Sequence, residues 1–156
     1  MESPNSRASA RRELLSFLVN GQEYCAAIER VREIRGWTPS TPIAQAPAFV
    51  CGVINLRGNV TPVIDLRRRL GFEPIEATSR NVIIVAEAHG QTVGVVVDEV
   101  CETFVLDAAQ FQAPPMLTSD RGEQFVSAIA MLEGRMLAVL NLDAVLPSEL
   151  AVPEPA

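Results

Sequence analysis

FVCGVINLRGNVTPVIDLRRRL, residues 49–70, lies without a gap on FVSAIAMLEGRMLAVLNLDAVL, residues 125–146, with seven of the 22 positions identical. Each stretch holds two short apolar runs around a turn glycine, Gly58 or Gly134, and then an Asp65 or Asn141. Asp and Asn side-chain oxygens accept hydrogen bonds from the free N–H groups that open a helical turn. Both stretches therefore read as a hairpin followed by a capped turn. Similar composition alone can make two hairpins look alike, but here glycine and cap both keep register, which favours duplication. Upstream, GQEYCAAIERVREI (21–34) lies on GQTVGVVVDEVCET (90–103), with Glu29 opposite Asp98. The offset is 69 in this block and 76 in the later one, so the second copy carries seven extra residues between them.

Outward from these blocks, residues 13–19 and 22–27 read as strands joined at Asn20-Gly21, a strong hairpin signal. Residues 31–37 are extended, and 38–47, with three prolines, form a loop. The second copy repeats the order with strands at 81–86, 91–97 and 100–106, a helical turn at 107–110 and a loop over 113–124. Valine (18) and isoleucine (9) together outnumber leucine (14), and β-branched side chains suit a pleated surface. A mainly β fold is predicted. Residues 1–12 and 148–156 read as tails, and 13–147 as one compact unit with repeats over about 13–72 and 81–147. Each copy is expected to be a small antiparallel barrel or curled sheet, too small to be comfortable alone. Packing the two together buries a shared apolar seam and leaves a groove at each end. The sequence leaves open whether strands cross between the halves.

The chemistry is bounded by subtraction. All 13 basic residues are arginine, lysine is absent and histidine occurs once, at His89. P-loop, Schiff-base and kinase chemistry need a lysine, and a multi-histidine metal site is impossible. No catalytic residue, metal site or cofactor is expected. A net charge of −6 argues against a phosphate-rich partner such as nucleic acid. Cys25, Cys51 and Cys101 are odd in number and lack metal-type spacing, which reads as buried free thiols in a reducing cytoplasm. The first residues carry no apolar core of a signal peptide, and no apolar run approaches a membrane span. A soluble cytoplasmic chain without membrane insertion is the expectation.

Three motifs carry a family likeness: VREIRG (31–36), PAFVCGVINLRG (47–58) and PVIDLR (62–67), with VGVVVD (93–98) and Val100 in support. Together they closely resemble the CheW family of bacterial chemotaxis coupling proteins, over about residues 13–147. The resemblance implies two SH3-like β-barrel subdomains related by duplication and packed around a common hydrophobic core. It implies an adaptor, not an enzyme, joining the cytoplasmic tips of methyl-accepting chemotaxis receptors to the regulatory domain of the histidine kinase CheA. Carried over by position, the receptor-facing residues are Val31, Glu33, Ile34, Asn55, Arg57, Gly58 and Val100. The kinase-facing residues are Gln112, Met116 and Leu117, where other members place charged or aromatic side chains. A paralogous adaptor of a surface or pilus motility array is the alternative, and an acidic small barrel binding nucleic acid a more distant one.

Single residues carry two readings. Arg57 is either a solvated turn arginine or a charge that orients a groove, with Glu33 as candidate partner; a guanidinium makes several directed hydrogen bonds at once. Val31, Ile34 and Val100 read individually as core. Strand alternation puts Val31 on the face of Glu33, and an unpaired Glu is not buried, so Val31 is expected to be exposed. Arg67-Arg68-Arg69 reads as a solvated helix face rather than a nucleic-acid patch. His89, in Glu-Ala-His-Gly, reads as an exposed hairpin tip. Trp37 either anchors the proline loop or serves an interface.

Overall fold

The computed structural model describes residues 11–73, 75, 78–114 and 125–146. Its strands are β1 (Arg12–Val19), β2 (Gln22–Ala27), β3 (Val31–Gly36), β4 (Val50–Leu56), β5 (Asn59–Asp65), β6 (Val82–Ala88), β7 (Gln91–Val97), β8 (Glu99–Leu106), β9 (Phe111–Gln112), β10 (Val126–Leu132) and β11 (Arg135–Leu140). Two helical turns follow the duplicated hairpins, α1 (Leu66–Arg69) and α2 (Leu142–Val145). Asp65 accepts from the Arg67 N–H at 3.1 Å and Asn141 from the Asp143 N–H at 3.2 Å, so both caps act as their residue types dictate. Four hairpins turn on two residues: Asn20-Gly21, Arg57-Gly58, His89-Gly90 and Glu133-Gly134. In every one both φ values are positive. That is the type I′ geometry whose twist matches the flanking strands.

The fold is mainly β, two SH3-like barrels around a common core. Barrel I runs β8-β1-β2-β11-β10-β9 and barrel II runs β3-β6-β7-β5-β4. The sequence copies do not coincide with them. β1 and β2 of the first copy sit in barrel I among strands of the second, and β6 and β7 of the second copy sit in barrel II. The expectation that each copy folds as its own barrel is corrected here. The exchange is made through two equivalent parallel pairings, β2 with β11 (Tyr24 opposite Ala138) and β7 with β5 (Gly94 opposite Val63).

Burial accounts for the central place of the exchanged strands in each sheet. The four exchanged strands are apolar on both faces, and a strand buried on both sides needs a layer above and below it. Leu14 and Cys25 point into barrel I with Leu106, Leu137 and Val139. Ile83 and Val85 point into barrel II with Ile54, Leu56 and Val63. The alternating residues Leu15, Phe17, Tyr24, Ile84, Ala86 and Val95 meet in a third, shared cluster between the barrels. Trp37 packs against the barrel II interior, anchoring the proline loop behind it. That loop is pinned where Thr41 and Val53 exchange backbone hydrogen bonds of 2.8 and 2.9 Å.

The expectation of a solvated Arg67-Arg68-Arg69 face holds at the exposed Arg68 and is corrected at its two neighbours. The Arg67 side chain is only 11% exposed and donates to Asp98 Oδ2 and Asn20 Oδ1, both at 2.8 Å. It docks α1, on barrel II, against the β1–β2 tip of barrel I. The equivalent joint on the other side has its charges reversed. Asp143, the counterpart of Arg67, takes two 3.0 Å bonds from Arg30, and its carbonyl lies 2.7 Å from Nε2 of His89, the counterpart of Asn20.

Candidate docking groove

The β4–β5 hairpin, β3 and the edge of the β6–β7 hairpin enclose an open groove of about 560 Å³ on barrel II, with Arg32, Glu33, Arg57, Val60 and Thr92 among its walls. The turn that presents Arg57 is fixed by its own sequence. Asn55 Oδ1 accepts from the Gly58 N–H at 2.7 Å, and Arg57 and Gly58 take φ of 52° and 86°. Arg57 Nη1 and Nη2 then donate to the two carboxylate oxygens of Glu33 at 2.8 and 3.2 Å. This is the two-point pairing that only a guanidinium supplies. Arg35 Nη1 lies 4.0 Å from the same carboxylate, and Arg32 pairs with Glu87. Three guanidiniums against two carboxylates give this rim a positive excess on a chain of net charge −6.

The sequence-based residues divide accordingly. Glu33, Asn55, Arg57 and Gly58 come together at the groove. Ile34 is exposed at 47%, but it alternates to the strand face opposite Glu33. Val31 and Val100 occupy equivalent positions in the two copies, and both are half-buried against the shared core. The expectation of an exposed Val31 is therefore corrected: the register shifts between Val31 and Glu33, so Val31 pairs opposite Ala86 of the shared core while Glu33 pairs opposite Val85 and has its partner in Arg57. Gln112 is exposed on β9, in barrel I, paired opposite Ile129 of β10. Met116 and Leu117 lie outside the described residues. Sequence reasoning missed Arg32, Glu87 and Val60. Val60 is 58% exposed, as is its counterpart Met136 at 71%, so an apolar residue just past each turn glycine was the available signal.

Of the three thiols expected to be buried, only Cys25 is; Cys51 is half-buried and Cys101 is exposed, which corrects that expectation. Burial pushes the Cys25 thiol up to about 12 and the Cys51 thiol to about 11, and raises Cys101 as well. Burial likewise raises the carboxyl of Asp65 against the pull of its cap bonds. His89 stands exposed on a turn with its ring nitrogen on a backbone carbonyl.

A family profile described as CheW-like domain matches residues 13–150. The chain belongs to the CheW-like domain family. A "Chemotaxis protein CheW" from Rhizobium meliloti is 47% identical over 138 residues, which is 88% of this chain and 89% of the relative. One from Bacillus subtilis is 34% identical over 92% of this chain and 94% of its own. "Protein FrzA" of Myxococcus xanthus is 27% identical over 86% and 83%. Among solved structures, the scaffolding protein TtCheW from Thermoanaerobacter tengcongensis superposes with a TM-score of 0.79 at 32% identity, covering 86% of this chain and 91% of that one. The CheW-like match thus takes in both barrels and the groove. Among the described residues, no helix is long and apolar enough to cross a membrane.

Proposed function

We propose that the chain is a non-catalytic adaptor of a chemotaxis array, coupling the cytoplasmic tips of methyl-accepting receptors to the regulatory domain of the histidine kinase CheA. It works in the cytoplasm, recruited to arrays at the inner face of the membrane. The observation that carries this reading is the Arg57–Glu33 pair at the mouth of the groove, beside the exposed Val60. An apolar side chain flanked by fixed charges suits an amphipathic helix of a receptor tip. Arg57 and Glu33 meet the receptor at the groove and Ile34 meets it from the other face of β3, Asn55 and Gly58 hold the turn, and Val31 and Val100 support the surface from the core side. Gln112 serves the kinase from barrel I, and Met116 and Leu117 are assigned to the same contact from the family likeness.

Two partners on two surfaces raise each other's effective concentration without any new contact. The resemblance implies that the kinase's regulatory domain shares this fold, and head-to-tail contacts between the two close into rings where the rotation permits. The test is a pull-down with purified CheA and a receptor cytoplasmic fragment at micromolar concentration. The adaptor retains both; failure to hold either one refutes the reading.

A further inference from the structure

The joint between the barrels has a centre occupied by one arginine. The Arg69 guanidinium carbon lies 4.6 Å from the ring centroid of Phe49 and 4.7 Å from that of Phe125. Those two phenylalanines are each other's counterparts in the 49–70 and 125–146 repeat. Arg69 Nε donates to the carbonyl of Val145 at 2.8 Å and Nη2 to that of Ala144 at 3.1 Å. Val145 is the counterpart of Arg69 itself. A residue that touches its own counterpart, between two rings that are counterparts of one another, stands near the pseudo-twofold axis of the duplication.

We propose that Arg69 is the latch that sets the angle between the two barrels. It ends α1, which continues directly from β5 of barrel II, whereas Phe125 leads into β10 and α2 ends β11, both of barrel I. α2 spans four residues, so its last carbonyls have no partner further along the helix. Arg69 takes two of them, and a cation at a helix C-terminus is favoured by the helix dipole as well. The flanking rings add the attraction of their faces for a partly desolvated cation. The position also explains why the duplication broke here. Two guanidiniums on one axis repel, and the second copy carries a fully buried Val145 instead. A fixed angle matters for an adaptor that presents one surface on each barrel. That consequence rests on the proposed function; the latch itself does not.

The experiment uses the full chain without partners, so its outcome is independent of the adaptor reading. Cys51→Ser, the residue of the other copy, leaves the exposed Cys101 of barrel I as the reactive thiol, and Thr92→Cys supplies a second on barrel II. Spin labels at the two report the inter-barrel distance by pulsed resonance. Cys101 with Met136→Cys reports a distance within barrel I. Arg69→Ala should broaden and shift the inter-barrel distribution and leave the intra-barrel one unchanged. Arg69→Lys, which keeps a cation between the rings but not the paired donors, should fall between parent and Arg69→Ala. If Arg69→Ala fails to fold, Arg69→Lys decides by the same criterion. Unchanged inter-barrel distributions overturn the latch, and so does equal broadening of both pairs, which marks general loosening.

Discussion

Arg57 and Glu33 face each other across the groove mouth with unequal exposure, 72% for the arginine side chain and 24% for the glutamate. The carboxylate is held by the barrel and the guanidinium stands in solvent, so the pair presents Arg57 outward in a fixed pose. Exposed pairs of this kind contribute roughly 0.2–1 kcal/mol to stability. Arg57→Ala should therefore lower the melting temperature by no more than about 2–4 °C. The same change should abolish retention by a receptor fragment while binding to CheA persists. Arg57→Lys, with charge but no two-point geometry, should fall between. A large loss of melting temperature would instead make Arg57 a structural residue.

Much of this was written in local sequence. The four X-Gly turns, both caps and the duplication follow from residue types at fixed spacing, because turn and cap chemistry is local. The strand exchange is not local. β1, β2, β6 and β7 read as apolar runs whichever barrel receives them, and periodicity does not say which edge a strand joins. The arginine triplet was opaque for the same reason: Asp98 stands 31 residues from Arg67 and the Val145 carbonyl 76 from Arg69. Val31 leaves the face of Glu33 because the register shifts between them, which strand alternation alone does not announce. At the groove, Asn55, Arg57 and Gly58 were legible as a turn, but Arg32 and Glu87 come together only through the β3–β6 pairing.

Gly52 is the glycine the fold tolerates least to lose. Its φ is 147°, and a Cβ there would lie 2.2 Å from the Thr41 carbonyl oxygen, which is itself bonded into the Val53 bridge. Gly58 has a positive φ but open space around it. Gly52→Ala should cost about 3 kcal/mol or more by adding a backbone clash to the strained conformation, against about 1 kcal/mol for Gly58→Ala. Urea unfolding of both variants checks the ranking. Equal losses would show that the loop yields freely at Thr41.

The thiols set the alkaline limb of stability. The folded values of Cys25 and Cys51, about 12 and about 11, stand above an unfolded thiol at roughly 8.5. Below that unfolded value both states hold their protons and the contribution is fully present. As pH rises, the unfolded chain releases protons first, so stability falls through the window up to the folded values. Cys51→Ser removes one of the two groups and should flatten the decline above about pH 9. Native labelling with a disulfide-exchange reagent should modify Cys101 rapidly, the half-buried Cys51 slowly and Cys25 only after unfolding. Rapid labelling of Cys25 would contradict its burial.

The two charge-reversed joints between the barrels differ in depth, and that difference should show in their mutants. Arg67 and Asp98 are 11% and 28% exposed; Arg30 and Asp143 are 39% and 45%. Asp98→Ala strips Arg67 of its counter-charge and the Asn20 N–H of its 2.8 Å acceptor, leaving a mostly buried cation on an amide oxygen alone. A loss of about 2–3 kcal/mol follows from such a stranded group. Asp143→Ala breaks an exposed pair and should cost about 1 kcal/mol or less, the His89 contact being to its backbone. The bond from Arg30 holds the Asp143 carboxyl below the usual carboxylate range. Its contribution is therefore present above the unfolded carboxylate value and fades as pH falls below it. Urea titrations of Asp98→Ala and Asp143→Ala at neutral pH give the comparison directly. A larger loss at Asp143 would mean that the Arg30 joint, and not the buried one, holds the barrels together.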